Sequence, residues 1–333
     1  MPKILVIGAG AWGTALAQLV RANGAETLLW AREPELLAAI NNEHRNPLYL
    51  PGIALDPGIR AIGETKVPSG TDAVLLVAPV QHLRSVAGQF ADTLRPGVPV
   101  AICAKGIEQI SGSMPSEILA EILPDAPLAV LSGPTFAREV ADGKPTAVTL
   151  ATADAALGQR LIGWLGRPTF RPYYSPDPIG AEIGGAVKNV LAIACGIVTG
   201  RGLGDNARAA LMTRGMAEIM RLGRAKGAQS STLMGLSGFG DLVLTCAGGQ
   251  SRNMSLGLAL GQGQALQEIL GARHSVAEGV ATAAAVTGRA ARLGIDMPIC
   301  AAVNSSLHQG AAIDQVIQML LSRPFTNEAD RGE

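Results

Sequence analysis

The sequence predicts an α/β chain in which a doubly wound, mostly parallel sheet is followed by an all-α domain, and three observations carry that prediction. Short β-branched or leucine-rich runs alternate with helical patterns through the first half. A glycine loop follows the first run directly. Beyond Tyr174 the strand signals stop, and nearly everything carries helical period.

In chain order, Ile4–Ile7, Thr27–Trp30, Ala73–Val77, Val98–Cys103, Leu128–Leu131 and Thr146–Ala151 are short, almost unbroken apolar runs. Such runs suit strands buried on both faces. The helical candidates Thr14–Asn23, Pro34–Asn42, Leu83–Thr93 and Ser116–Leu123 fall between several of them, where a parallel sheet needs crossovers. The last strand lies near Phe170–Tyr174, and the proline-rich elbow Tyr174–Ile179 follows. The domain boundary is therefore placed close to Gly180, with residues 1–180 forming the α/β domain and 181–333 the helical one. Helices are predicted around Lys188 and over Ala207–Gly227, Ser255–Leu260, Val276–Leu293 and Ala312–Ser322. Asn327–Glu333 reads as a solvated tail.

A length of 333 residues suits about two domains. With 48% hydrophobic and 16% charged residues, the chain can bury sizeable cores and is not disordered. Its formal net charge of zero gives no basic excess for nucleic acid or a membrane surface. Cys103, Cys195, Cys246 and Cys300 are far apart and form no CxxC. Three of them sit in apolar context as small hydrophobes, which fits a reducing cytoplasm. The amino-terminal run is broken at once by glycines and has no signal-peptide cleavage site. The apolar stretch around Lys188 carries an ion and falls short of about 18 uninterrupted apolar residues, so no membrane span is expected.

The loop Gly8-Ala-Gly10-Ala-Trp-Gly13 has the strand-before, helix-after context of a Rossmann-like dinucleotide site. Gly8 allows the tight turn, Gly10 lets backbone approach a pyrophosphate, and Gly13 lets helix and strand pack closely. The helix N-terminus then offers N–H groups and partial positive charge to phosphates. At the end of the second strand, Arg32 suits a 2′-phosphate or stacking on adenine, while Glu33 suits a ribose hydroxyl. An exposed Arg–Glu pair of no consequence is the bland alternative. The cofactor expected is NADP or NAD, with NADP slightly favoured.

Lys188 is the most unusual residue, because only it and Asn189 are polar across Ile183–Val198. A buried ammonium costs several kcal/mol unless it is paired or shifts its pKa. At helical spacing its face reads Ala181, Gly184, Gly185, Lys188, Ala192 and Cys195, which suggests a concavity around the amine for something to dock. A snorkelling lysine is the alternative. Lys105 follows a strand and points to the carboxyl-edge crevice where open α/β sheets bind ligands. Gly133-Pro-Thr135-Phe-Ala137 lands at the same crevice. Asp241 reads either as a helix cap or as the partner that orients Lys188. Ser251-Arg252-Asn253 offers bidentate, hydroxyl and amide donors to a phosphate dianion, or else caps a helix. His44, His82, His274 and His308 stand in different contexts, and none has a motif-like acidic partner. Lys188 is thus the better proton-transfer candidate.

Together the ordered motifs GAGAWGTALA, LWAR, CAKGIE, GPTFAREV, EIGGAVKNVLAIACGI, GDNARAALMTRGMAEI, GLSGFGDLVLTC, SRN and VAEGV resemble the soluble, bacterial-type NAD(P)-dependent glycerol-3-phosphate dehydrogenases. They extend from Ile4 to beyond Glu278. The resemblance implies interconversion of dihydroxyacetone phosphate and sn-glycerol 3-phosphate, which feeds glycerophospholipid synthesis. It implies that Lys188 is the acid/base and that Lys105, Gly133, Thr135, Asp241, Ser251, Arg252 and Asn253 meet the substrate. Ala11, Trp12, Arg32, Lys105, Ala137, Arg252, Val276 and Glu278 would line the cofactor beside Gly8, Gly10 and Gly13. No metal is implied, and a homodimer is compatible with the sequence. The chain departs from the family pattern at Thr199–Arg201, at Ala247-Gly248 and at Ser255. Two rival readings stand beside this one. One is a related dehydrogenase acting on a 3-hydroxy acid, with Arg252 on the carboxylate. The other is a non-catalytic dinucleotide sensor, which would have no need of Lys105, Lys188, Asp241 and Arg252 together.

Overall fold

A computed structural model describes residues 1–271 and 278–325. His274, Val276 and the Asn327–Glu333 tail lie outside the described residues. The strands are β1 (Lys3–Ile7), β2 (Glu26–Trp30), β3 (Arg45–Asn46), β4 (Leu50–Ala54), β5 (Ile59–Ile62), β6 (Ala73–Leu76), β7 (Val100–Ile102), β8 (Leu128–Ser132), β9 (Thr146–Ala151) and β10 (Phe170–Ser175). Among them run α1 (Ala11–Ala22), α2 (Pro34–Glu43), α3 (Val80–Ala91), α4 (Pro115–Ile122), α5 (Ala137–Ala141) and α6 (Ala155–Leu165). Helices then take over, as predicted: α7 (Pro178–Gly200), α8 (Gly204–Ala225), α9 (Ser230–Leu233), a π-helical turn (Leu236–Gly240), α10 (Asp241–Ala247), α11 (Arg252–Gly261), α12 (Leu266–Gly271), α13 (Glu278–Arg292), α14 (Pro298–His308) and α15 (Ile313–Leu321).

The chain forms two compact units, Met1–Lys105 with Met114–Pro178, and Gly106–Ser113 with Ile179–Glu333. The first is built on one sheet in the order β10-β9-β8-β7-β6-β1-β2-β5. All its neighbours are parallel except β8 and β9, which meet antiparallel. From β1 the strand order runs outward in both directions, so the first glycine loop emerges at the switch point between β1 and β6. The strands β1, β6 and β7 are buried along almost their whole length, which explains why they read as continuous apolar runs. The sequence reading passed over β5 and the β3–β4 hairpin. Neither is a continuous apolar run, since β5 alternates buried Ile59 and Ala61 with Arg60, and β4 contains Pro51 and Gly52.

In the second unit α7 is a core helix. Every residue from Gly180 to Val198 is buried. By length and composition it could cross a membrane, so the count of uninterrupted apolar residues was too strict a test. Its burial within the fold and its two ionisable residues, Glu182 and Lys188, decide for a core role. Glycines bring other backbones against it. A Cβ on Gly196 would lie 2.2 Å from Met254 O, and one on Gly257 would lie 2.0 Å from Ile193 O. Gly200 and Gly261 repeat that contact one turn along, so α7 and α11 pack at backbone distance. All four cysteines are free and buried. Burial pushes the Cys103 thiol up to about 12, leaving it an inert hydrophobe.

A buried carboxylate secures α14. Glu218 of α8 accepts the Ile299 and Cys300 N–H groups at 2.6 and 3.1 Å, in place of any cap from Met297. Burial raises its carboxyl above the ordinary range, and the two N–H bonds offset only part of that. The folded chain therefore holds this proton more tightly than the unfolded chain. The contribution is greatest below the ordinary value of 4.5 and is lost as pH climbs through the raised one. Urea unfolding of wild type and Glu218→Gln at several pH values should show the variant gaining on the wild type as pH rises. A pH-independent difference between them would contradict this account.

Candidate active site

In the first unit the glycine loop is shaped partly by packing and partly by something else. Gly8 has φ +115°, and a Cβ on Gly13 would stand 1.8 Å from Gly8 O, so protein geometry alone accounts for both. Gly10 differs: a Cβ there would meet nothing within 4 Å. No protein atom demands a glycine at that place, whereas a closely approaching ligand does. Gly10 caps α1 without a side-chain bond, and Ala11 and Trp12 begin a first turn with no acidic residue. The indole Nε1 of Trp12 is buried without a hydrogen-bond partner. Open space, uncapped N–H groups and a spare donor fit a dinucleotide pyrophosphate.

The loop is anchored by a residue that the sequence did not reveal. Buried Asn46 on β3 donates to Ala9 O at 2.9 Å and to Thr14 Oγ1 at 2.7 Å. At the end of β2, Arg32 is largely exposed, with 79% of its side chain accessible, and pairs with Glu33 at 3.1 Å. Tyr49 also donates to Glu33, at 3.2 Å. Burial raises the Tyr49 hydroxyl first, and the nearby Glu33 charge raises it further. Glu33 is therefore engaged twice, while the guanidinium of Arg32 reaches solvent.

At the carboxyl ends of β7 and β8, Lys105 Nζ donates to Gly133 O at 2.9 Å. The Thr135 hydroxyl donates to the same oxygen at 3.3 Å. Gly133 has φ +147°, and its Cβ would lie 2.9 Å from Val148 Cα, so only glycine fits. Ala137 opens α5 just beyond. Lys105, Gly133 and Thr135 thus form one cluster within the first unit.

In the second unit, Lys188 and Asp241 meet in the core. Lys188 Nζ donates to Asp241 Oδ1 at 2.5 Å and to Thr245 Oγ1 at 2.9 Å. Their side chains are 8% and 0% exposed, which rules out a snorkelling lysine. Thr245 in turn donates to Asp241 O at 2.6 Å. Asp241 opens α10 straight after a π turn closed by Gly240 N donating to Gly235 O. Thr245 was missed, although its spacing of four residues from Asp241 puts both on one helical face. The small residues beside Lys188 do not all face a ligand hollow, as the sequence suggested. The space at Gly184 is filled by the backbone of Ser237 and Gly238.

Asn253 donates to Asn189 Oδ1 at 3.0 Å and accepts Gly279 N–H at 3.1 Å. Its carboxamide therefore ties α7, α11 and α13 together. Ser251 Oγ accepts Met254 N–H at 3.2 Å, the helix-capping alternative. Arg252 follows as the exposed first residue of α11. Glu278 opens α13, partly buried. The Cys246 thiol is raised by a hydrogen bond with Cys195 and by burial, so the wall around Lys188 and Asp241 stays uncharged there. Among the described residues, no group of histidine, cysteine and acidic side chains could hold a metal.

Two family profiles match this chain, described as the N-terminus and the C-terminus of NAD-dependent glycerol-3-phosphate dehydrogenase, over residues 3–158 and 177–318. The chain belongs to that family. A glycerol-3-phosphate dehydrogenase [NAD(P)+] of Rhodospirillum rubrum is 61% identical over 98% of this chain and 93% of its own length. One from Parvibaculum lavamentivorans is 57% identical over 98% of each chain. The crystal structure of glycerol-3-phosphate dehydrogenase from Coxiella burnetii has a TM-score of 0.93 at 38% identity, covering 97% of this chain and 99% of that one. A D-mandelate dehydrogenase shares the fold with a TM-score of 0.63 at 16% identity.

For a glycerol-3-phosphate dehydrogenase family member, the open space at Gly10 gives a clean test. Gly10→Ala should fold with an unchanged melting temperature, because its Cβ touches no protein atom. It should weaken NAD(P)H binding about tenfold or more, roughly 1.4 kcal/mol. Cofactor fluorescence titration measures this, and unaltered affinity would remove the ligand explanation for Gly10.

Proposed function

We propose that this chain catalyses the reversible reduction of dihydroxyacetone phosphate to sn-glycerol 3-phosphate, supplying glycerophospholipid synthesis in the cytoplasm. The buried Lys188–Asp241 pair is the observation that carries the reading. Bound NAD(P)H supplies the hydride. In this reading residues 1–180 form the dinucleotide-binding domain and 181–333 the substrate-binding and catalytic domain. The N- and C-terminal family matches support that division.

Lys188, as ammonium, gives a proton to the ketone oxygen, and as the neutral amine it takes the hydroxyl proton in the reverse direction. Asp241 supplies counter-charge, and Thr245 accepts a second Nζ–H bond, so the amine is oriented before substrate arrives. Lys105 stabilises the developing alkoxide as preorganised positive charge, and Gly133 and Thr135 border the same cluster. Arg252 binds the phosphate, and its placement at an exposed helix start supports that role. Ser251 and Asn253 hold Arg252 in place, by the helix cap and by the bridge to Asn189 and Gly279. Glu278 and Val276 complete the cofactor-lining set.

NADP is the favoured cofactor. The exposed guanidinium of Arg32 suits a 2′-phosphate, and Glu33 is already engaged by Arg32 and Tyr49. A homodimer is the proposed assembly. The exposed apolar side chains of Met234, Phe239 and Val243 support a covered surface there, and sedimentation velocity reads the mass.

Lys188→Ala should lower turnover of dihydroxyacetone phosphate by about 10²–10⁴-fold while NAD(P)H still binds. Because the variant strands a buried carboxylate, Lys188→Ala/Asp241→Asn serves as the better-folded companion. Near-normal turnover in either would overturn the assignment. Arg32→Ala should reduce kcat/KM for NADPH roughly tenfold more than for NADH, since a charge-assisted phosphate contact contributes about 1.5–3 kcal/mol. Equal losses for both cofactors would return Arg32 to an ordinary surface residue.

A further inference from the structure

The face of α7 that carries Lys188 also carries Gly184, one turn earlier. On the segment that supplies the counter-charge, Gly238 lies just before Asp241. These two glycines meet backbone to backbone. A Cβ built on Gly184 would stand 2.6 Å from Ser237 O and 2.7 Å from Gly238 Cα, and neither neighbour is a flexible side-chain end. Gly238 is pressed from elsewhere as well, since its own Cβ would lie 1.9 Å from Leu233 O. One turn along, Lys188 Nζ and Asp241 Oδ1 are 2.5 Å apart. The close backbone contact and the ion pair are thus neighbouring rungs of one interface.

We propose that Gly184 is a positioning residue, whose missing side chain sets the spacing between α7 and the Leu236–Gly240 turn and so the register of Asp241 on Lys188. Ordinary contact begins at 3.4 Å, so a methyl at residue 184 pushes the turn back by roughly 1 Å, because close-packed interiors yield by backbone shifts. A shift of that size takes the 2.5 Å contact between Lys188 Nζ and Asp241 Oδ1 past the roughly 3.2 Å limit of a good N–H···O bond, so the carboxylate orients and charges the amine less well. Alanine also favours the helix more than glycine does, which offsets part of the overpacking and lets the variant fold.

The kinetic side of this inference rests on Lys188 being the proton donor of the reaction proposed above. In Gly184→Ala, kcat for dihydroxyacetone phosphate reduction should fall at least tenfold with the KM for NADPH unchanged. The alkaline limb of the kcat profile should move to lower pH by about one unit, because the charge that favours the ammonium form has receded. Asp241→Glu, one methylene longer, should impair the wild-type register yet recover part of the lost kcat when combined with Gly184→Ala, a non-additivity expected only of coupled sites. Gly196→Ala is the control. It overpacks the same helix about 18 Å further along, so it should lower the melting temperature while leaving the alkaline limb in place. Acetylation of Lys188 by acetic anhydride, followed by mass spectrometry on the folded fraction of each variant, reads the register without substrate. It should be several-fold faster in Gly184→Ala. If Gly184→Ala keeps its alkaline limb, its kcat within twofold and its labelling rate, the proposal is wrong. If wild type does not reduce dihydroxyacetone phosphate, the functional reading fails while the labelling comparison still decides the role of Gly184.

Discussion

One ammonium–carboxylate contact organises the helical unit. Removing two charges from water costs several kcal/mol per ion, and their attraction repays it only when geometry and additional hydrogen bonds are good. Lys188 and Asp241 meet that condition at 2.5 Å, with Thr245 bound to both residues. Such a pair contributes little net stability, but losing either member leaves a buried charge and costs about 3–5 kcal/mol. It belongs to positions where orientation of a charge matters more than strength of packing. The neighbouring polar groups follow the same logic. Asn189, next to the lysine, is bound by Asn253, and Asn253 by Gly279, so the buried amides satisfy one another and fix three helices at once.

The α/β unit places its polar groups by different means. There, loops at the carboxyl edge of a rigid sheet carry the chemistry, and backbone shape does most of the positioning. Gly8 and Gly133 take conformations or approaches closed to other residues, and Asn46 fastens the loop from behind. In the helical unit, side chains meet side chains inside the core. Rigidity comes from glycine-mediated backbone contact between α7 and its neighbours, which leaves the few polar groups little freedom to rearrange.

Much of this was legible in the sequence because each signal had a single physical cause. The strands of the parallel sheet are buried on both faces, so they announce themselves as apolar runs. Gly8–Gly13 follows a strand and opens a helix, and Lys188 is conspicuous in an apolar stretch. Where several causes share one signal, the reading went astray or stayed open. Small residues near Lys188 mean room, but sequence does not say whether a ligand or a backbone uses it. At Gly184 the backbone does. Asp241 read first as a helix cap, and only the fold shows its carboxylate on Lys188. Asn46 and Asn253 act through partners 37 and 64 residues away, which no local pattern reports, while Thr245 shares a helical face with Asp241 but meets Lys188 across 57 residues.

The segment Gly106–Ser113 packs with the helical unit although the chain on both sides of it belongs to the sheet. Its Gly112 carbonyl accepts a bond from buried Arg289 of α13, and Glu108 closes it internally by accepting from Ser111 and Gly112. Neither unit is therefore a continuous stretch of gene. A single recombination crossover anywhere in the chain would leave one unit assembled from two parents. The two halves are bound to descend together, and mutations in that short insert and in α13 face a shared selective constraint.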